Sequence, residues 1–150
     1  MIKKIEIHNK KAKFSYEIQQ TLTAGIQLNG TEIKSIRNND ANIKDAYCII
    51  YKNELYIKNM HVAKYKMSMI EKYDSKRDRK LLLNRSEINK VQKMIQEKGM
   101  SVIPTKLFIS EKGFAKLEIG IGKGKKLFDK RETIKKRESK IEIARTKKGG

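Results

Sequence analysis

Between residues 14 and 28 the apolar side chains fall on even positions: Phe14, Tyr16, Ile18, Leu22, Ala24, Ile26 and Leu28, with Gln20 the one interruption. A period of two marks a strand with one face buried. A run this long commits the chain to a sheet that can use it. Gly25 lies inside the run, where a glycine points to a bulge, a bend or the close approach of another backbone. The alternation ends at Asn29-Gly30, a dipeptide that also reads as a hairpin turn. Ile33 and Ile36, however, share a face only on a helix, and Asn29 with Glu32 fits a capping box. The favoured expectation is a strand followed by a short helix over Gly30–Arg37, with the hairpin as the alternative.

Further along, residues 43–51 are rich in Ile and Tyr, and Leu55-Tyr56-Ile57 resumes the same pattern after Lys52-Asn53. These two runs predict a hairpin with a tight turn. Residues 64–80 show little periodicity. Asp74-Ser75-Lys76-Arg77-Asp78-Arg79-Lys80 is expected to be exposed before Leu81-Leu82-Leu83 turns apolar. Asn84 and Glu87 form a second capping box, Ile88, Val91 and Ile95 share one helical face, and Gly99 supplies a left-handed stop. A helix over Arg85–Lys98 follows. Ser101–Ile109 reads as a strand, with Pro104 at an edge or a bulge, and Leu117, Ile119 and Ile121 alternate with polar residues in another. Residues 1–13 are polar and basic and lead into the first strand.

The predicted fold is mainly β with helices. It is a small antiparallel barrel of the oligonucleotide-binding type, with a short helix after the first strand and one longer capping helix. Composition shifts at Gly122. Residues 123–150 are dominated by basic side chains, with Leu127, Phe128, Ile134, Ile141, Ile143 and Ala144 the only apolar ones. So sparse a stripe cannot stabilise a free helix. The expected organisation is a barrel domain over 1–122 and a flexible basic tail over 123–150, disordered when free and folding on a partner.

Charge narrows the function. The 36 basic and 17 acidic residues leave a net +19. Such a charge repels itself in the folded state and calls for a polyanionic partner, of which nucleic acid is the commonest. No long basic amphipathic helix with a broad apolar face suggests a membrane surface. No window is long or apolar enough for a signal peptide or a transmembrane span, so a soluble cytoplasmic protein is expected. Cys48 is the single cysteine, which excludes a disulfide framework.

Catalytic signatures are sparse. Gly120-Ile121-Gly122-Lys123-Gly124-Lys125-Lys126 has neither phosphate-loop nor dinucleotide spacing, and reads as a flexible hinge between barrel and tail. His8, His61 and Cys48 lack metal-ligand spacing. No nucleophile motif or apolar carboxylate pair is present. The expectation is a non-enzymatic protein without cofactor or metal. Tyr47, Tyr51 and Tyr56 fit either a base-stacking platform or ordinary packing. Basic side chains beside such strands would contact phosphate, which positions RNA without reading its sequence.

Several motifs in order carry a resemblance: Asn9-Lys10-Lys11-Ala12, Ala24-Gly25-Ile26, Gly30-Thr31-Glu32-Ile33-Lys34-Ser35, Arg79-Lys80-Leu81-Leu82-Leu83, Glu87-Ile88, and Gly124-Lys125-Lys126-Leu127-Phe128-Asp129-Lys130-Arg131. At these spacings the set closely resembles the SsrA-binding protein family, also called small protein B, over nearly the whole chain. The resemblance implies an RNA-binding adaptor for transfer-messenger RNA in trans-translation. Its barrel would grip the tRNA-like domain and stand in for the missing anticodon arm, and its tail would enter the empty mRNA channel of a stalled ribosome. Carried over by position, Asn9, Lys10, Leu82 and Lys116 fall where family members contact the RNA. Lys11, Lys34, Arg79 and Lys80, within the quoted motifs, are assigned to the same surface. Lys125, Lys126, Phe128, Asp129, Lys130 and Arg131 fall in the ribosome-engaging part, continued by Lys135, Arg137 and Arg145. The implied partners are transfer-messenger RNA, small-subunit RNA at the decoding centre and mRNA channel, and elongation factor Tu indirectly through the charged RNA, with the protein itself a monomer. The chain departs from the usual family pattern at Thr23, Phe14, Ser75 and Gln92, where an acid, a histidine, a proline and a glycine are common. A structural ribosomal protein that stays bound to its subunit is the alternative reading, and an RNA nuclease a more distant one.

Overall fold

The computed structural model describes residues 4–69 and 72–125. Nine strands and three helices are described: β1 (Glu6–His8), α1 (Lys10–Ser15), β2 (Tyr16–Ile26), α2 (Gly30–Arg37), β3 (Ala41–Asn42), β4 (Tyr47–Tyr51), β5 (Glu54–Lys58), β6 (His61–Val62), β7 (Arg79–Leu82), α3 (Arg85–Lys98), β8 (Ser101–Ile109) and β9 (Ala115–Gly124). The main sheet runs β1-β8-β4-β5-β7-β2-β9, and β9 pairs back onto β8. Every pairing is antiparallel. Six strands thus close into a ring, with β1 appended to β8, and β3 with β6 forms a separate two-stranded piece. Closure leaves few free sheet edges. This is the mainly β, helix-decorated architecture that the strand and helix patterns predict.

The ring interior holds the core. Ala24, Ile26, Leu55, Ile57, Leu81, Leu107, Leu117, Ile119 and Ile121 are buried there, joined by Ile36 from α2 and Val91 from α3. The even-numbered face of β2 turns inward, as its alternation requires, but the strand is shorter than the pattern suggests. Phe14 belongs to α1 and is exposed, and Leu28 lies past the strand end. Residues 4–13, expected to be a polar lead-in, instead form β1 and the first turns of α1. Ile5 and Ile7 give the sequence too short a pattern to reveal that strand.

Irregularities fall where close packing demands them. The bulge in β2 lies between Ile18 and Gln20, not at Gly25. Beside it, a Cβ on Gly122 would sit 2.0 Å from the Glu17 carbonyl oxygen, so only glycine fits there. Strand β8 is paired on both sides, and Pro104 marks a bulge between itself and Lys106. Both capping boxes form. The Asn29 side chain accepts from the Glu32 N–H and the Asn84 side chain from the Glu87 N–H, and each glutamate reaches back to its cap. The hairpin alternative at Asn29-Gly30 is therefore excluded. Lys52 and Asn53 both take positive φ, 51° and 62°, giving the tight β4–β5 turn. The expected hinge at 120–126 is strand as far as Gly124, and the Lys125 N–H donates to the Ser15 carbonyl at 2.7 Å. The composition shift at Gly122 thus falls within a strand, not at its end.

Candidate nucleic-acid interface

Strand register places Leu82 opposite Gly25, Gly25 opposite Lys116, Lys116 opposite Phe108, and Phe108 opposite Glu6. Directly paired residues share a sheet face. Their chain neighbours Leu81, Ala24, Ile26, Leu117 and Leu107 fill the interior, so this row faces outward. Gly25 leaves a gap in the row. A Cβ there would lie 3.3 Å from the Leu82 Cβ. The result is a notch of about 260 Å³ bounded by Gly25, Leu82, Phe114 and Lys116, with Leu28 and the entry to α2 at Asn29-Gly30 closing one side. Leu82 is 51% exposed and Phe114 60%. Two apolar surfaces around a lysine suit the face of a base or sugar with its phosphate nearby.

The row continues into a second cluster. Behind it, Thr23, Glu118, Lys106 and His8 form the adjacent outward row. The Lys106 ammonium lies 5.0 Å from the Phe108 ring centroid and 3.8 Å from Glu118. Asn9 follows β1 and reads the β8 bulge: its N–H donates to the Thr105 carbonyl at 2.9 Å, and its side-chain amide donates to the Pro104 carbonyl at 2.9 Å. Its Oδ1 is buried and accepts no hydrogen bond from the described residues. Lys10 and Lys11 then open α1 at the surface, and Lys11 and Lys44 border a groove of about 510 Å³ beside Asn9.

Arg79 requires a correction. The expectation of an exposed, RNA-contacting arginine fails because residue parity turns it inward with Leu81. Its guanidinium donates to both the Glu32 carboxylate, at 2.6 and 2.8 Å, and the Met60 carbonyl at 2.7 Å. Arg77 and the Tyr73 hydroxyl donate to the same carboxylate. Burial pushes the Glu32 carboxyl upward. The bonds from Arg77, the Asn29 N–H and Arg79 outweigh it and hold the group below the usual carboxylate range. The segment 74–80 is thus not a free loop. Two arginines fasten it to α2.

The remaining expected contacts divide. Lys10, Lys11, Lys34 and Leu82 are exposed, and Lys116 and Lys80 are half-buried. Lys34 lies 5.4 Å from the Tyr65 ring centroid, and Lys80 lies 3.8 Å from Glu54. Asn9 is buried, so its Nδ2 serves the fold first. The register brings Leu82 and Lys116 together, and leaves Lys34 and Lys80 outside the notch lining. Lys125 is exposed, with its ammonium 3.3 Å from the Lys13 carbonyl. Lys126, Phe128, Asp129, Lys130, Arg131, Lys135, Arg137 and Arg145 lie outside the described residues. Sequence reasoning missed Phe114 in the notch and Tyr73 beside Glu32. The only signal for the first is an aromatic residue just after a turn glycine.

Among the described residues, no group of His, Cys, Asp and Glu is placed to hold a metal ion, and no helix is long and apolar enough to cross a membrane. Burial pushes the Cys48 thiol far above its ordinary range, where it is a packed side chain and not a nucleophile.

The family model described as SmpB protein matches residues 6–149. The chain belongs to the SmpB protein family. It is 48% identical over 141 residues to the SsrA-binding protein of Bacteroides thetaiotaomicron, covering 94% of each chain. It is 49% identical over 148 residues to the SsrA-binding protein of Flavobacterium psychrophilum, covering 99% of each. Its fold is similar to a solved chain described as "tmRNA-SmpB: a journey to the center of the bacterial ribosome", with a TM-score of 0.68 and 34% identity, covering 82% of this chain and 86% of that one. The matched span includes the strand ring and the Gly25 row of this SmpB family member.

Proposed function

We propose that this chain is a non-enzymatic adaptor that binds transfer-messenger RNA and brings it to stalled ribosomes. The observation that carries the reading is the match of nearly the full chain to relatives named SsrA-binding protein, together with a built outward notch at Gly25, Leu82 and Lys116. The notch offers apolar surface to an RNA base or sugar, and Lys116 meets a phosphate. Lys10 and Lys11, next to the buried Asn9 Oδ1, extend the contact along the backbone. A net charge of +19 adds a salt-dependent attraction that brings the RNA in before any specific contact forms.

The basic residues from Lys125 onward engage small-subunit RNA at the decoding centre and along the empty mRNA channel. The folded ring occupies the place of an anticodon arm, acting as a cytoplasmic monomer. Elongation factor Tu joins only through the aminoacylated RNA. The division of labour is between the strand ring, which runs through Gly124, and the basic segment from Lys125 onward, and it requires no cofactor. Sequencing the RNA that co-purifies with the full chain tests this directly. One small structured RNA is the expected result. Retention on a ribosomal subunit at high salt, without that RNA, would favour a structural ribosomal protein instead.

A further inference from the structure

A groove of about 650 Å³ opens at the seam between β4 and β8. In the ring order this seam lies across from the β7–β2 seam that carries Leu82 and Gly25. The groove has a plain structural origin. Strands β4 and β8 share the single pair Cys48↔Val102, whereas β4 and β5 are paired along their length. The strands splay beyond that one pair, and the C-terminal half of α3 lies over the gap.

The walls are held firmly. Arg85, at the start of α3, donates to the Asn53 carbonyl at 2.6 Å and to Glu54 at 2.8 Å, fixing the β4–β5 turn to the helix. Gly99, with φ of 63°, ends α3 and delivers Met100 into the floor. Tyr47, 45% exposed, stands at the mouth, and Ile95 adds apolar surface beside Met100. Gln92, Gln96, Asn53, Ser101 and Lys52 supply polar lining, and no carboxylate among the described residues borders the groove.

We propose that this groove receives one unpaired base of a single-stranded RNA segment, as a second RNA site across the ring from the Gly25 notch. Its volume lies within the range of roughly 300–1,000 Å³ of small-molecule sites. An aromatic ring at the mouth stacks on any base. Each glutamine amide carries a donor and an acceptor, the pair needed to meet a base edge. Lys52 is placed for the adjoining phosphate. The lack of a carboxylate disfavours a basic peptide, and a purely apolar peptide would leave the two amides unpaired. The site depends on the groove alone and not on the role of the notch.

The test uses the full chain and a short unstructured oligonucleotide bearing one 4-thiouridine. Cross-links map to the peptides carrying Tyr47, Lys52 and residues 92–103. Tyr47→Ala weakens oligonucleotide binding about tenfold, within the range of losing one stacked base, and Tyr47→Phe retains it. Gln92→Ala weakens it as well. In the same preparations, affinity for transfer-messenger RNA and the melting temperature of Tyr47→Ala stay at the wild-type values. Cross-links elsewhere, unchanged affinity in Tyr47→Ala, or equal losses in the Ala and Phe variants would overturn the site. Wild-type failure to bind transfer-messenger RNA would count against the proposed function and leave this result standing.

Discussion

Glu32 serves two tasks with one carboxylate. It caps α2 by reaching back to the Asn29 N–H, and it accepts from Arg77 and from the fully buried Arg79. Removing the charge by Glu32→Gln leaves the Arg79 guanidinium buried without its counter-ion, and breaking a buried pair in this way costs roughly 3–5 kcal/mol. Denaturant unfolding at neutral pH measures it. The pH dependence follows from the lowered carboxyl. A depressed folded value stabilises above the unfolded one, near about 4.3 for glutamate, and that contribution is lost as pH falls through the folded value. The stability gap between wild type and Glu32→Gln is therefore expected to be full at neutral pH and to close below about pH 4. Glu32 is legible in the sequence only as a cap, because its other partners lie more than forty residues away. Arg79 does carry a signal in its position. A charged run resembles a solvated loop, yet Arg79 shares its parity with Leu81, and in a strand that parity sends both inward.

Elements were legible where their patterns were long. The Asn84–Glu87 capping box and the Ile88 and Val91 face define α3 to the residue, and Gly99 ends it as its conformational freedom predicts. The short pieces β1, β3 and β6 left no period to detect. The α3 face also divides more finely than its period shows. Ile88 is 1% exposed, whereas Ile95 is half-buried and borders the groove. Ile88→Ala should therefore cost roughly 2–5 kcal/mol, and Ile95→Ala distinctly less, in parallel chemical denaturation. Equal costs would mean that Ile95 is as deeply packed as Ile88. Asn84→Ala removes one capping acceptor and should cost about 1 kcal/mol, read from the same experiment.

At the scale of the whole molecule, ring closure sets which side chains can work together. Leu82 and Lys116 are far apart in sequence, and only the pairing of β7, β2 and β9 brings them to either side of Gly25. No motif spacing reveals that row, so the sequence identified its members by resemblance and not by geometry. Among the described residues, the buried core of the ring is drawn from the stretch between Ala24 and Ile121. Truncation after Lys125 is accordingly expected to leave the melting temperature and transfer-messenger RNA binding nearly unchanged while abolishing peptide tagging on stalled ribosomes. A truncated chain that still supports tagging would remove the tail from the proposed role. The most direct test of the central claim is the affinity of the full chain for transfer-messenger RNA across a salt series, wild type against Leu82→Ala/Lys116→Ala. Loss of one phosphate contact predicts a salt slope shallower by roughly 0.7–0.9, with affinity lowered at least tenfold and the melting temperature unchanged. Identical affinity and slope in the two proteins would contradict an interface at the Gly25 notch.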